Sequence, residues 1–75
     1  MSNSSLVTVV VGLAESHRER LDEAVAALEA AGLTVQRRLK TLGQITGSIP
    51  RERLAALKRV TGVAYVEASG EYRAL

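Results

Sequence analysis

Val63-Ala64-Tyr65-Val66-Glu67-Ala68-Ser69-Gly70-Glu71-Tyr72-Arg73-Ala74-Leu75 is the last stretch of the sequence, and the topology turns on whether it is a strand. Gly62 precedes it, and Val63 to Val66 is β-branched or aromatic apart from Ala64, which reads as a strand. Ser69-Gly70 breaks the pattern, so regular structure is expected to stop there and residues 70–75 to form an exposed tail. A tail anchored at one end to a rigid sheet is suited to entering a partner's groove, and an ordinary frayed terminus has the same outline.

Working upstream, Leu6-Val7-Thr8-Val9-Val10-Val11 is a nearly continuous β-branched run ending at Gly12 and reads as a buried central strand. Residues 1–5 before it are expected to be disordered. Ser16 with Glu19 three residues on has the spacing of a capping box, and Leu21, Val25 and Leu28 share one helical face. The first helix is placed at 17–31, with Gly32 as its C′ residue. Leu33, Val35, Arg37 and Leu39 alternate with Thr34, Gln36, Arg38 and Lys40, giving a second strand with one solvated side. Thr41-Leu42-Gly43 is a turn, and Gln44 to Ile49 a third strand with Ile45, Gly47 and Ile49 on one side. A glycine at mid-strand, here Gly47, marks close approach by a helix or a neighbouring backbone. Pro50 suits the first turn of a second helix, which carries Leu54 and Leu57 and ends at Thr61-Gly62.

The order is therefore β-α-β-β-α-β. Two right-handed split βαβ units of this kind make an α+β, ferredoxin-like sandwich: a four-stranded antiparallel sheet with two helices on one face. The other face is left bare. In the last strand Ala64 and Val66 are expected to point to the helices, and Val63, Tyr65, Glu67 and Ser69 to the open face. Tyr and Val on an open face make it a candidate docking surface.

Bulk properties narrow the function. The 75 residues suffice for one domain, spanning 1–75, and a domain of that size is only marginally stable unless well packed. Without cysteine there is no disulfide and no thiolate metal site. Hydrophobic residues make up 47% and aromatics 3%, so the core must be Val, Leu, Ile and Ala. A formal charge of +2 does not by itself argue for nucleic acid. No apolar run approaches the roughly 18 residues of a membrane span. Met1-Ser2-Asn3-Ser4-Ser5 lacks the basic start of a signal peptide, and Leu6 to Leu13 is short and strand-like. The expectation as written is a cytoplasmic protein, or a secreted one that has lost a leader.

No catalytic constellation emerges, and no enzyme activity, cofactor or metal is expected. His17 is the sole histidine and reads as a solvated residue in the first helical turn. Ser16 reads as an N-cap, because only the adjacent His17 could act as its base. Glu15, Glu19, Asp22 and Glu23 crowd a helix start, where the macrodipole favours them without further role. Gly12 has no phosphate-loop pattern around it. Arg37-Arg38-Leu39-Lys40 reads as a basic edge that discourages strand pairing rather than as a phosphate site. An RNA-binding sheet of this topology would want aromatics on strands one and three, which have none.

From Gln44 to its end the sequence resembles the subtilisin propeptide and proteinase-inhibitor family. The matching pieces are Ile45-Thr46-Gly47-Ser48-Ile49-Pro50, the pair Leu54 and Leu57, and Gly62-Val63-Ala64-Tyr65-Val66-Glu67. Leu6 to Val11 and Ala30-Ala31-Gly32-Leu33-Thr34-Val35 agree in pattern only. The resemblance implies an inhibitor, or a chaperone acting in trans, of subtilisin-like serine proteases. It implies that the open sheet face packs on two protease helices and that the tail lies product-like in the substrate groove. The protease-binding residues it points to are Val63, Tyr65, Glu67, Ser69, Glu71, Tyr72, Arg73, Ala74 and Leu75. Among them Val63 and Tyr65 lie on the docking face, and Glu67 caps the N-terminus of a protease helix. Ser69 stands where the family usually has Asp, so it caps without adding charge. Leu75 enters the primary pocket and Tyr72 a second, apolar one, while Arg73 faces solvent and Ala74 approaches the catalytic histidine. The partner implied is a protease; neither nucleic acid nor membrane is expected, and the chain itself would be a monomer or weak dimer.

The alternative is a ferredoxin-like regulatory or oligomerisation module that binds a ligand, or itself, through the same open face or the loop at Gly12-Leu13. Nucleic-acid binding through Arg37, Arg38 and Lys40 is a third and weaker reading; it requires steeply salt-dependent association.

Overall fold

The structure, a computed structural model, describes residues 6–72, with side chains as far as Ala68. In chain order the elements are β1 (Leu6–Leu13), α1 (Leu21–Ala30), β2 (Thr34–Leu39), β3 (Gln44–Pro50), α2 (Leu54–Leu57) and β4 (Val63–Tyr72). Short 3₁₀ segments, two turns at Glu15–Arg20 and one each at Lys40–Leu42 and Arg51–Arg53, fill three of the connections. The strands form one sheet in the order β2-β3-β1-β4, and every neighbouring pair is antiparallel. Each helix thus joins two strands separated by one other, which is the split βαβ arrangement expected from the sequence.

The core follows from period-two patterning on the strands and helical spacing on α1. Val7, Val9, Val11 and Leu13 of β1 point to the same side as Ile45 and Ile49 of β3. Val25 and Leu28 of α1, Leu57 of α2 and Leu33 close over them. Both helices therefore cover this face. The opposite face of β1 carries Leu6, Thr8, Val10 and Gly12. Gly47 stands among the core residues because a Cβ there would run into the backbone carbonyl of Thr34 on β2 and meet Leu33 Cδ1 at 3.2 Å. The close approach anticipated for it is by a neighbouring backbone.

α1 ends as its sequence specifies. Gly32 adopts φ 115° as the C′ residue; its N–H bonds to Glu29 O at 3.0 Å, and the Leu33 N–H bonds to Leu28 O at 3.0 Å. These are the two hydrogen bonds of a Schellman motif, with buried Leu33 and Leu28 forming its apolar contact. The start of the helix differs from expectation. A 3₁₀ segment occupies residues 15–20, its preceding residue is extended Ala14, and no side chain caps either helix. Ser16 instead hydrogen-bonds its neighbour His17, Oγ to Nδ1 at 3.0 Å, so the capping box does not form.

The second helix is shorter than expected, ending at Leu57 rather than at Thr61-Gly62. Pro50 is the last residue of β3, paired with Leu6, and not part of a helical turn. Its φ of −58° and ψ of 140° are extended, and its missing N–H falls at a strand end. Gly62 then takes φ 95° and turns the chain into β4.

Candidate docking face

The face of the sheet without helices is built in rows by strand register. Residues directly opposed in an antiparallel pair share a face. One row runs Leu39, Gln44, Gly12, Tyr65 across β2, β3, β1 and β4; the next runs Arg37, Thr46, Val10, Glu67. A third contains Thr34, Ser48, Thr8 and Gly70. The face thus carries a cation at one edge strand and a carboxylate at the other, with Thr46 and the apolar Val10 between them.

Among the described side chains Tyr65 is the aromatic one on this face. The side chain is 43% exposed, yet it is held on one side. Its ring lies against Gly12, where any Cβ would collide with Cε2, Cζ and Cδ2. Its hydroxyl accepts a hydrogen bond from Gln44 Nε2 at 2.7 Å. Tyr65 therefore reaches from β4 over β1 to β3. Gly12 is not a loop residue after the first strand, as its isolation in the sequence had implied; it lies inside β1, paired with Gln44 and Tyr65. Period two puts Gln44 on the side opposite Ile45, Gly47 and Ile49, but neither it nor Gly12 was expected among the docking residues. The signal for Gly12 was available, because glycine inside a strand marks close approach; nothing local names the ring that approaches it.

β4 also corrects the alternation expected from sequence. A register shift between Gly12 and Leu13 pairs Leu13 with Val63 and Gly12 with Tyr65, leaving Ala64 as the extra residue. Such a bulge reverses facing on one side of it. Val63 consequently points to the core, packed beside Val66, and not to the open face; Ala64 is exposed instead of facing the helices. Tyr65 and Glu67 are on the open face and Val66 on the helix face, as expected.

A second shift, between Thr8 and Val9, pairs Val9 with Ala68 and Thr8 with Gly70, so Ser69 is the extra residue there. The strand does not end at Ser69-Gly70. It crosses the irregularity and continues to Tyr72, with Glu71 opposite Val7 and Tyr72 opposite Leu6. Pairing with β1 supplies the order that local propensity did not. Arg73, Ala74 and Leu75 lie outside the described residues.

Away from this face, β2 has its own bulge between Val35 and Arg37. Gln36 is the extra residue, and the facing of everything after it reverses. Leu39 lies with Gln44 on the open face, while Arg38 lies with Ile45 on the helix face and bonds Asp22 Oδ1 at 2.7 Å. The single alternation expected for Leu33 through Lys40 therefore holds only as far as Val35. β2 is nonetheless an edge strand whose Arg37 and Arg38 are exposed. His17 is half-buried rather than fully solvated: a Cβ on Gly62 would meet its ring at 2.7 Å.

Among the described residues no three His, Asp or Glu side chains converge to hold a metal ion. No described helix is long and apolar enough to cross a membrane. What the described residues offer is a helix-free sheet face bordered by an edge strand, β4, that runs toward the C-terminus.

Comparison with known proteins gives one assignment. No curated protein and no solved structure matches the chain. The model of a family described as "Putative peptidase inhibitor domain" matches it over residues 2–69, which takes in the whole sheet except the last residues of β4. The chain belongs to this peptidase inhibitor family.

Proposed function

We propose that the chain inhibits a subtilisin-like serine protease by laying its helix-free sheet face on the enzyme and leading its C-terminal residues into the substrate groove. The observation that supports this reading best is β4. It is an edge strand, it displays Tyr65 and Glu67 on the helix-free face, and it remains extended as far as Tyr72. An extended segment is what a protease groove binds, through main-chain hydrogen bonds and alternating side-chain pockets. Glu67 is exposed at the same edge, where a carboxylate is suited to the positive N-terminal end of a protease helix. In this arrangement Ser69 adds an uncharged cap, Glu71 contributes at the start of the tail, and Arg73 faces solvent. Ala74 lies near the catalytic histidine, while Tyr72 and Leu75 fill pockets. Because Gly70, Glu71 and Tyr72 pair with β1, the tail has to release those few strand-end residues before it enters the groove fully. Binding only to the folded protease also favours its folding by mass action, which is the physical content of a chaperone role in trans.

The test is the inhibition constant against a bacterial subtilisin, measured for the whole chain and for one lacking Tyr72–Leu75. The truncated chain is expected to lose well over tenfold. A loss below tenfold, about 1.4 kcal/mol, refutes the tail mechanism. No inhibition, together with a stable dimer that buries Tyr65 in sedimentation and cross-linking, would turn the same face to self-association.

A further inference from the structure

We infer that Gly12 and Gln44 are positioning residues that hold Tyr65 ready for its partner; the inference rests on the protease-docking reading above. Gly12 has no conformational need to be glycine: the positive-φ glycines among the described residues are Gly32, Gly43 and Gly62. What requires it is the ring of Tyr65, whose Cδ2 would stand 2.7 Å from an added Cβ, with Cε2 and Cζ nearer still. Gly12 is buried under that ring although it lies on the face without helices. The hydroxyl is tied at the far end by Gln44 Nε2 at 2.7 Å, from a strand that is not adjacent to β4. One ring face and one end of the side chain are therefore fixed by three strands, while the residue as a whole remains 43% exposed.

Two consequences follow for docking. The ring is ordered before association, so its rotamer freedom is not lost on binding. An immobilised side chain otherwise weakens association by an amount corresponding to roughly two- to tenfold in affinity. The hydroxyl uses a lone pair toward Gln44 and keeps its proton for an acceptor on the partner. The partner thus meets a flat aromatic surface bearing a directed O–H donor, the anchor type enriched at the centres of protein interfaces.

The test compares wild type, Gln44→Ala, Gln44→Glu, Tyr65→Ala and the double variant Gln44→Ala with Tyr65→Ala in subtilisin inhibition. Gln44→Ala is expected to raise the inhibition constant roughly three- to tenfold, with little change in the urea midpoint. Gln44→Glu, whose carboxylate would hold the ring but take the Tyr65 O–H proton, is expected to recover only the part of the loss that comes from ring ordering. In the Tyr65→Ala background the Gln44→Ala change is expected to cost nothing further. NMR of the Tyr65 ring in the free protein, with Tyr72→Phe to leave one tyrosine, should show increased ring mobility in Gln44→Ala, which a general loss of stability would not produce selectively. An unchanged inhibition constant for Gln44→Ala overturns the inference. So does a penalty of the same size when Tyr65 is absent, because Gln44 would then be touching the protease directly. A wild-type chain that leaves subtilisin active refutes the proposed function and this inference with it, and that failure is seen before any variant is compared.

Discussion

Leu28→Ala links the packing of this small domain to its survival beside a protease. Leu28 is fully buried on α1, within the cluster that joins β1, β3 and α2. It also supplies the carbonyl that closes the Schellman turn at Leu33, a backbone contact that the substitution leaves in place. The loss is therefore one of side-chain transfer plus cavity, about 3 kcal/mol within the range for buried Leu→Ala changes. A 75-residue domain has a total stability on the order of 4 to 11 kcal/mol. Losing about 3 of these raises the unfolded fraction roughly 150-fold and lowers Tm by roughly 12 to 24 °C. Where opening and closing are fast, cleavage of a folded protein tracks that fraction. Urea unfolding followed by circular dichroism gives the stability loss; digestion by dilute trypsin, read as loss of intact chain, gives the kinetic consequence. A measured loss below about 1 kcal/mol would refute the placement of Leu28 at the centre of the core. A full loss of stability with less than fivefold faster digestion would show that cleavage starts from locally opened segments of the native chain, and the link between core packing and inhibitor lifetime would fail.

Two further outcomes follow from the packing. Gly47→Ala drives a methyl group into the Thr34 carbonyl, so β2 must shift; a loss of about 1 to 3 kcal/mol in urea unfolding is expected, and a neutral result would show that β2 is free to move away from β3. Arg38→Ala removes a bond to Asp22 whose side chains are 49% and 91% exposed, so the change should be below about 1 kcal/mol and shrink further in high salt; a larger, salt-independent loss would mean that the bridge is not the exposed pair seen here.

The order of elements was legible because each announces itself locally. The β-branched run of β1, the stripe of Leu21, Val25 and Leu28, the stop at Gly32 and the alternation of Ile45, Gly47 and Ile49 all act within a few residues along the chain. The Schellman turn at Gly32 and the tight contact behind Gly47 are where expectation and structure agree in detail. Helix starts were less legible. Ser16 had the right neighbours for a cap, but the chain enters α1 through a 3₁₀ segment, and the hydroxyl turns to His17.

The docking face shows the boundary between the two kinds of information. Tyr65 and Glu67 could be placed on it from period-two alternation alone. Val63, Leu39 and the end of β4 could not. Each depends on a register shift, at Ala64, Gln36 and Ser69, and a shift is a property of two paired strands rather than of either sequence. The local pattern at Ser69-Gly70 argues for a stop, yet pairing with Leu6 to Thr8 carries the strand on to Tyr72. By itself, then, the sequence determined the fold class, the core and the existence of a bare sheet face, because burial and backbone propensity are local sums. The register shifts that redirect Val63 and Leu39, and the hold of Gly12 and Gln44 on Tyr65, come from the tertiary structure, because they join strands that the crossover connections bring together from far apart along the chain.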